Sequence, residues 1–163
     1  MKVHTKHFYT SIYFLNELLS NKRINAVTLS DMCETCLRNA RKSIREIKDM
    51  LLDLNLNLIF WYDRNTNSNV YYLKPPTNHS ILQNLSYKNL DKYLPYIVMI
   101  KLLFNQKVNN EELSQDGFKC SKKMLYPIID ALRMSIAMIP TRGMYYDIVY
   151  SELYKSYIIK EIR

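Results

Sequence analysis

Apolar residues in the first half of the chain recur at helical spacing and then, beyond residue 55, at every second position. The helical part predicts three helices, of which the first and the third have clear apolar faces. These faces consist of Phe8, Ile12, Leu15 and Leu19 in the first helix, and of Ile44, Ile47, Leu51 and Leu54 in the third. LNLIFWY (56–62) alternates, the turn residues DRNTNSN follow, and VYYLK returns, which together predict a β-hairpin.

A short second helix is predicted between these two helices. Thr28 or Ser30 is expected to cap it, because a hydroxyl oxygen accepts hydrogen bonds from the free backbone N–H groups of a helix start. We expect Met32, Cys33 and Cys36 to lie on this helix, with both cysteines facing the core. The predicted order of the first half is therefore helix, helix, helix and hairpin.

The second half of the chain repeats this order. Its first helix is predicted from the spacing of Tyr93, Ile97, Ile100 and Phe104. VNNEELSQD predicts a short second helix capped by Asn109 or Asn110, and CSKKMLYPIIDALRMS predicts a third, with Leu125, Ile128, Ile129 and Leu132 inward. IAMI, PTRG and MYYDIVY predict a hairpin. SELYKSYIIKEI predicts a terminal helix with an apolar stripe of Leu153, Tyr157 and Ile158.

The segment LKPPTNHS (73–80) separates the two halves, because two prolines followed by small polar residues interrupt regular structure. We predict a first domain at 1–74, a linker at 75–86, a second domain at 87–150 and a C-terminal helix at 151–163. Three helices with a tight second junction, followed by a hairpin, are typical of a winged helix-turn-helix. The predicted fold class is mainly α with small β-hairpins (α+β), as two tandem winged helix-turn-helix domains.

Net charge gives the first indication of a partner. The 163-residue chain has a formal net charge of +8 and a pI of about 9.3, which favours a polyanion such as nucleic acid. No segment approaches the roughly 20 apolar residues that span a bilayer, and the N-terminus lacks the pattern of a signal peptide. We therefore expect a cytoplasmic protein with no membrane partner.

The third predicted helix of the first half carries a cluster of positive charge. In LRNARKSIREIK (37–48), five residues are basic and one is acidic. In a helix-turn-helix this helix enters the major groove, where arginine reads guanine and lysine contacts bases or phosphates. The candidate DNA-contacting residues are Arg38, Asn39, Arg41, Lys42, Ser43, Arg45 and Lys48. The alternatives are a solvated charged face and a membrane-surface helix, which would need bulky aromatic residues on its apolar face.

Three further basic sites are predicted to contact DNA. Arg64 lies in the first predicted hairpin turn and Arg142 in the second, where a wing meets the backbone or the minor groove. Lys119, Lys122 and Lys123 cluster at the start of the second domain's third helix. Because lysine suits phosphates better than bidentate base recognition, we expect the first domain to read sequence and the second to add backbone affinity.

Residues that would support catalysis or metal binding do not form a site. Cys33 and Cys36 make a Cys-x-x-Cys, but a structural zinc site needs a second pair of ligands, and Cys120 stands apart from them. No nucleophile motif occurs, and two glycines in the whole chain leave little room for a phosphate-binding loop. We predict a protein without enzyme activity, metal or cofactor.

Three segments are distinctive beside the order of elements: ARKSIREIK, VYYLKPPTNHSI and EELSQDGFKCSKKMLYPIID, of which LYPII is the most distinctive. Together with that order, they resemble the N-terminal part of the Mga/AtxA family of virulence transcription regulators from Gram-positive bacteria. The closing YYDIVYSELYKSYIIKEI is similar to the family's passage from the second wing into its next helix. The resemblance implies tandem winged helix-turn-helix domains that bind promoter DNA, and it adds Ser121 to Lys122 and Lys123 as a DNA-facing residue.

The predicted function is that of a sequence-specific transcription regulator that binds double-stranded DNA. Members of the family continue into regulatory and dimerising domains, which the 163 residues do not include, so control by those domains is not implied for them. A plasmid or phage replication initiator is an alternative, because tandem winged helices also serve there. A protein-interaction module is another, in which the C-terminal helix docks a partner or forms a homodimer.

Overall fold

The structure, a computed structural model, describes residues 6–19, 22–54, 58–73, 91–103, 106–137 and 145–162. It divides into two compact units, Lys2–Ser86 and Tyr87–Arg163, which we call the first and second units. In the described residues, each unit combines three α-helices with small antiparallel pairings that include a hairpin. The prediction of an α+β protein with small hairpins is confirmed at this level.

The first unit consists of three helices followed by a hairpin. Its helices are α1 (Lys6–Leu19), α2 (Ala26–Met32) and α3 (Leu37–Asp53), and its strands are β1 (Ile24–Asn25), β2 (Leu58–Asp63) and β3 (Ser68–Leu73). The three strands form an antiparallel sheet in the order β1-β3-β2. Because β1 immediately precedes α2, its pairing with β3 ties the start of α2 to the sheet.

The second unit has the same order of elements. Its elements are a 3-10 turn (Asp91–Tyr93), α4 (Leu94–Leu103), α5 (Asn110–Gln115), α6 (Lys122–Ala137), β4 (Tyr145–Ser151) and β5 (Ser156–Ile162). The strands β4 and β5 pair as an antiparallel hairpin. Val108 exchanges two backbone hydrogen bonds with Tyr157, at 3.0 and 2.7 Å. This bridge precedes α5 just as β1 precedes α2.

The core of the first unit lies between α1, α3 and the sheet. Every residue from Thr10 to Leu18 is buried, so α1 is enclosed on all sides and not only on the one face that its spacing predicts. Phe14 packs edge-on against Tyr71 of β3, with ring centroids 5.9 Å apart. The predicted inner face of α3 is confirmed, because its residues are all buried: Ile44, Ile47, Leu51 and Leu54.

An asparagine caps the second helix of each unit. The side-chain oxygen of Asn25 accepts the Thr28 N–H at 2.7 Å, and that of Asn109 accepts the Glu112 N–H at 2.7 Å. The prediction of a Thr28 or Ser30 cap is wrong, because α2 begins directly after Asn25 and both hydroxyl residues lie inside it. For α5, the first of the two predicted caps is the observed one.

A residue with positive φ follows the second helix of each unit and starts the turn into the third. This residue is Glu34 in the first unit (φ 50°) and Gly117 in the second (φ 96°). Glycine adopts this conformation without steric cost. Equivalent 3.0 Å hydrogen bonds hold both turns, from the Thr35 N–H to the Ser30 carbonyl and from the Phe118 N–H to the Leu113 carbonyl. The turn fixes the direction in which the third helix leaves.

The cysteines flank this turn and do not share a helix face, because α2 ends at Met32. Cys33 is buried and Cys36, directly before α3, is exposed. The prediction that both cysteines face the core is therefore right for Cys33 and wrong for Cys36.

The C-terminal segment is a strand, so the predicted helix at 151–163 is wrong. β5 pairs with β4 along its whole length, from Ser151 opposite Ser156 to Tyr145 opposite Ile162. Leu153 lies in the turn and is 82% exposed, while consecutive strand residues such as Tyr157 and Ile158 point to opposite faces. The predicted stripe for a homodimer therefore has no helix on which to form. Aromatic and β-branched residues in SYIIKEI favour the strand.

The second hairpin also uses other segments than those predicted. Ile136 and Ala137, expected to begin its first strand, are the last residues of α6. The segment expected to be the second strand is instead the first, β4. The predicted turn PTRG, with Arg142, lies outside the described residues, and the observed turn is at 152–155.

The third helix of the second unit buries the residues that the spacing predicts, even though Pro127 lies inside it. These residues are Leu125, Ile128, Ile129 and Leu132. Within the described ranges, no helix combines the length and the apolar character that a membrane span requires.

Candidate nucleic-acid interface

α3 separates apolar and basic residues onto opposite sides. Its inner side, formed by Ala40, Ile44, Ile47, Met50 and Leu51, is buried against the core. Its exposed basic residues are Arg38, Arg41, Lys42, Arg45 and Lys48. The structure thus brings five of the predicted DNA-contacting residues onto the solvent side of one helix. Since the opposite side is packed, this face has a fixed orientation in the unit.

Ser43 is an exception among the predicted contacts, because it is fully buried. Its hydroxyl lies 3.0 Å from Nδ1 of His7 in α1 and 3.4 Å from the His7 carbonyl. The prediction that Ser43 faces DNA is therefore wrong: helical geometry turns this position toward α1. A polar residue inside a basic run gave no sign of this at the sequence level.

The one acidic residue within the basic run is held by α1. Glu46 accepts a hydrogen bond from Nε2 of His7 at 2.5 Å, which requires a proton on that nitrogen because a carboxylate only accepts. The same ring thus joins two positions of α3, Ser43 and Glu46, to α1. Glu46 is half-buried, and its carboxylate contacts α1.

Asn39 is exposed in the first turn of α3, and its amide donates a 3.2 Å hydrogen bond to the Thr35 hydroxyl. Cys36, Arg38, Asn39, Lys42 and Arg45 line a concave surface of about 540 Å³ along the helix. Three of these side chains carry positive charge, so the concavity suits an anion such as a phosphate group.

The hairpin β2–β3 forms the second wall of a groove beside α3. This groove has a volume of about 470 Å³, and its lining includes Arg41, Arg45, Lys48, Tyr62, Asn67 and Asn69. The Lys48 ammonium lies 4.6 Å from the centre of the Phe60 ring, which holds this charge at the boundary between helix and hairpin. Arg64 lies exposed in the hairpin turn, as predicted.

Sequence reasoning missed contacts that depend on the hairpin, one in this groove and one on the opposite face of the strands. Tyr62 and Asn67 come together only through the hairpin, where the tyrosine hydroxyl donates to the amide oxygen at 3.4 Å. Arg23 stacks on Trp61 and Tyr72, with its guanidinium carbon 5.1 and 5.7 Å from the two ring centres. Arg23 is the basic residue just before β1, and only the pairing of β1 with β3 brings it to these rings.

The predicted basic residues of the second unit gather at the start of α6. Lys119, Ser121, Lys122 and Lys123 are all exposed. The Ser121 hydroxyl accepts the Met124 N–H at 3.3 Å, so it caps the helix. Arg142 lies outside the described residues, and Lys155 occupies the observed hairpin turn. Lys155 was not among the predicted contacts, because the turn was predicted at PTRG.

The rest of the exposed face of α6 differs from that of α3. Counted from the first residue of each helix, Arg41, Lys42 and Arg45 correspond to Tyr126, Pro127 and Asp130. Lys48 corresponds to Arg133, whose guanidinium donates to both carboxylate oxygens of Asp147 at 3.1 and 3.4 Å. This contact raises the pKa of Arg133 and engages its charge within the unit. Exposed positive charge on α6 is therefore concentrated in its first turn.

The cysteines provide no metal site in the part of the chain that the structure describes, where no three metal-ligating side chains gather. Burial raises the pKa of the Cys33 thiol to about 11, so it stays protonated at neutral pH. Burial also raises the pKa of Cys120. Both thiols are packing residues.

Comparisons with protein-family models, with curated proteins and with solved structures return no match for this chain. The resemblance to the Mga/AtxA family therefore remains an interpretation of residue patterns. The functional conclusion depends on the charge and the geometry of the chain itself.

Proposed function

We propose that this protein is a sequence-specific transcription regulator of the Mga/AtxA type, which acts in the cytoplasm and binds double-stranded DNA through two winged helix-turn-helix units. The observation that carries the proposal is the fixed basic face of α3 beside a hairpin with an exposed arginine in its turn. A third helix with a packed inner side and a basic outer side has the shape and charge that the DNA major groove accepts.

Arg41, Lys42 and Arg45 are the residues that we assign to the major groove. They lie in the N-terminal half of α3, in the middle of its basic run, and line the concave surfaces on its two sides. An arginine fork pairs with the O6 and N7 edge of guanine, which makes Arg41 and Arg45 the sources of sequence preference. Arg38 and Lys48 lie at the two ends of this basic run and suit the flanking phosphates.

The hairpin contributes a second set of contacts in this proposal. Arg64 at its turn reaches the DNA backbone or the minor groove, while Asn67 and Asn69 in the groove wall add neutral hydrogen-bonding groups. In the second unit, Lys119, Lys122 and Lys123 bind phosphates and increase affinity without reading bases.

Selection of bound sequences from random duplex DNA at physiological salt tests the proposal. We expect a defined motif, and we expect the affinity for it to fall steeply with salt because lysine and arginine displace counterions from phosphates. Arg41→Ala together with Lys42→Ala should abolish the preference, whereas Lys122→Ala together with Lys123→Ala should lower the affinity and keep the preference.

Lys22→Ala serves as the matched control. Lys22 forms a 3.5 Å ion pair with Glu17, and the register of β1 with β3 puts it toward the end of the sheet away from the hairpin turn. The proposal is contradicted if no motif is selected, or if the Lys22 variant loses as much affinity as the α3 variant. A motif that occurs only as repeats in a replication origin would contradict a role in transcription.

A further inference from the structure

The second unit contains a larger groove than the corresponding one of the first unit. Its walls are the starts of α5 and α6 and the hairpin β4–β5, and its volume is about 930 Å³. The corresponding groove of the first unit measures about 470 Å³. Sites for small molecules usually have volumes of roughly 300–1,000 Å³, so the larger groove is of a size to hold a ligand.

Aromatic rings line much of this groove. Tyr150 and Tyr157 face each other across the hairpin in an edge-to-face contact, with ring centroids 5.2 Å apart. Tyr126 faces the groove from α6 and is 65% exposed. Pro127 extends the same wall. Tyrosine rings can stack on a flat ligand ring, because every planar base or aromatic group has a π surface.

The rim of the groove is positively charged. Lys122 and Lys123 line it from α6 and Lys155 from the hairpin turn, against one acidic lining residue, Glu111. Lys155 also donates to Glu152 at 3.2 Å, but both side chains are largely exposed, so this pair is weak. Three ammonium groups around an aromatic wall complement a ligand that combines a flat ring with an anionic group.

This groove suits a duplex less well than its counterpart does. The exposed positions that hold Arg41, Lys42 and Arg45 in the first unit hold Tyr126, Pro127 and Asp130 in the second. A DNA backbone laid along α6 would bring its phosphates near the Asp130 carboxylate. It would also cover the exposed Tyr126, which has no positive charge to pair with a phosphate. A small ligand can use the tyrosines and the three lysines together.

We infer that the groove between α6 and the hairpin β4–β5 binds a nucleotide, with its base stacked on the tyrosines and its phosphate held by Lys122, Lys123 and Lys155. A nucleotide offers a flat base to the tyrosines and an anionic phosphate to the lysines, and its size is compatible with the volume of the groove. The site is separate from the proposed reading of bases by α3, because all of its lining residues belong to the second unit. It shares Lys122 and Lys123 with the proposed phosphate contacts of that unit, so the nucleotide and DNA should compete for these two lysines.

Titration of the full chain with adenosine 5′-monophosphate, in the absence of DNA, tests the inference by calorimetry and by amide NMR spectra. We expect a dissociation constant below about 1 mM, with adenosine and inorganic phosphate each at least about tenfold weaker. The amide signals of Tyr150 and Tyr157 should shift, while that of Trp61 in the first unit should stay in place.

Variants identify the groups responsible. Tyr126→Ala should weaken nucleotide binding about tenfold, because it removes a stacking face, and Tyr126→Phe should retain it. Lys122→Ala together with Lys123→Ala should weaken it by a similar factor. Met134→Ala, an exposed position on α6 that does not line the groove, is the matched control. Circular dichroism of each variant verifies that it is folded.

Several results would overturn the inference. Absence of binding at about 10 mM nucleotide is one, and unchanged affinity in a folded Tyr126→Ala variant is another. Tighter binding of 4-hydroxybenzoate than of the nucleotide would assign the groove to aromatic acids instead. Tighter binding of a short single-stranded oligonucleotide would assign it to a nucleic-acid strand.

Discussion

The hydroxyl of Ser43 in α3 lies 3.0 Å from Nδ1 of His7 in α1, on the buried side of a helix whose other side carries five exposed basic residues. The same imidazole binds Glu46 through its second nitrogen at 2.5 Å. One histidine thus joins two positions of α3 to α1, in addition to the packing of the buried apolar residues that sets the rotation of α3 about its axis. Because the rotation of α3 decides which residues face outward, we expect substitutions on its buried side to change stability and substitutions on its exposed side to change DNA recognition.

Ser43→Ala is predicted to lower stability and to leave DNA affinity unchanged. Loss of the hydrogen bond to His7 should reduce the free energy of unfolding by about 1 kcal/mol. Arg41→Ala should do the reverse, with a loss of about 1–3 kcal/mol in binding to the selected DNA and little change in unfolding. Urea denaturation and fluorescence anisotropy measure the two effects. Equal loss of DNA affinity in both variants would contradict this division.

Lys48→Ala is predicted to act through phosphate and not through sequence. Lys48 lies over the Phe60 ring at 4.6 Å, at the edge of the α3 face. Its removal should reduce the slope of log affinity against log salt by about 1 and should weaken binding to all sequences alike. Lys22→Ala should leave the slope unchanged. A change in the selected motif with Lys48→Ala would show that this residue reads a base.

The asparagine caps should contribute stability in both units. Asn25→Ala and Asn109→Ala each remove a side-chain acceptor from a helix start, with an expected loss of about 0.5–2 kcal/mol. Asn109 also donates to the Ser156 hydroxyl at 2.9 Å, so Asn109→Asp should keep the cap and lose that donor. Chemical denaturation followed by circular dichroism compares the three variants. An Asn109→Asp variant as unstable as Asn109→Ala would assign the effect to the hairpin contact.

The stability of the first unit should fall at alkaline pH. Burial raises the pKa of Cys33 from 9.0 to about 11, so the folded state holds this proton more tightly than the unfolded state does. The stabilisation is fully present below pH 9 and is lost as the pH rises to about 11. Trp61 fluorescence during thermal unfolding reports on this unit.

The control for this prediction is Cys33→Ala, whose melting temperature should fall less steeply over the same pH range. The pKa of Tyr13 is raised from 10.0 to about 12, also mainly by burial, so part of the loss should remain in the variant. Thiol labelling at neutral pH gives a second readout: exposed Cys36 should react well before buried Cys33. Identical pH profiles of the two proteins would contradict the assignment to Cys33.

The sequence pattern predicted those elements in which spacing and burial agree. The apolar rows of α3 and α6 gave both helices and their inner faces, because each helix packs on one side only. The pattern was misleading for α1, where Thr10 and Ser11 are buried along with the apolar residues, since tertiary packing encloses residues 10–18 on every side. It also did not identify Asn25 as a cap, since Asn25, Thr28 and Ser30 are all residues that can cap a helix and lie within six positions.

The errors at the C-terminus have a different cause. Leu153, Tyr157 and Ile158 have helical spacing, but a strand pair with β4 satisfies the backbone of 156–162 along its whole length. Pairing of one strand with its neighbour is not visible in the periodicity of either segment alone. The same limit hid contacts that depend on the hairpins, such as that of Arg23 with Trp61, and the position of Lys155 beside the groove of the second unit.

The bridge between Val108 and Tyr157 has a consequence for how the protein is made. The residue that leads into α5 finds its backbone partners in the last strand of the unit, and those partners emerge from the ribosome only after α6 and β4. The first unit lies entirely upstream and can close its own sheet much earlier. During synthesis, the basic helix α3 is therefore complete while the second unit still awaits β5.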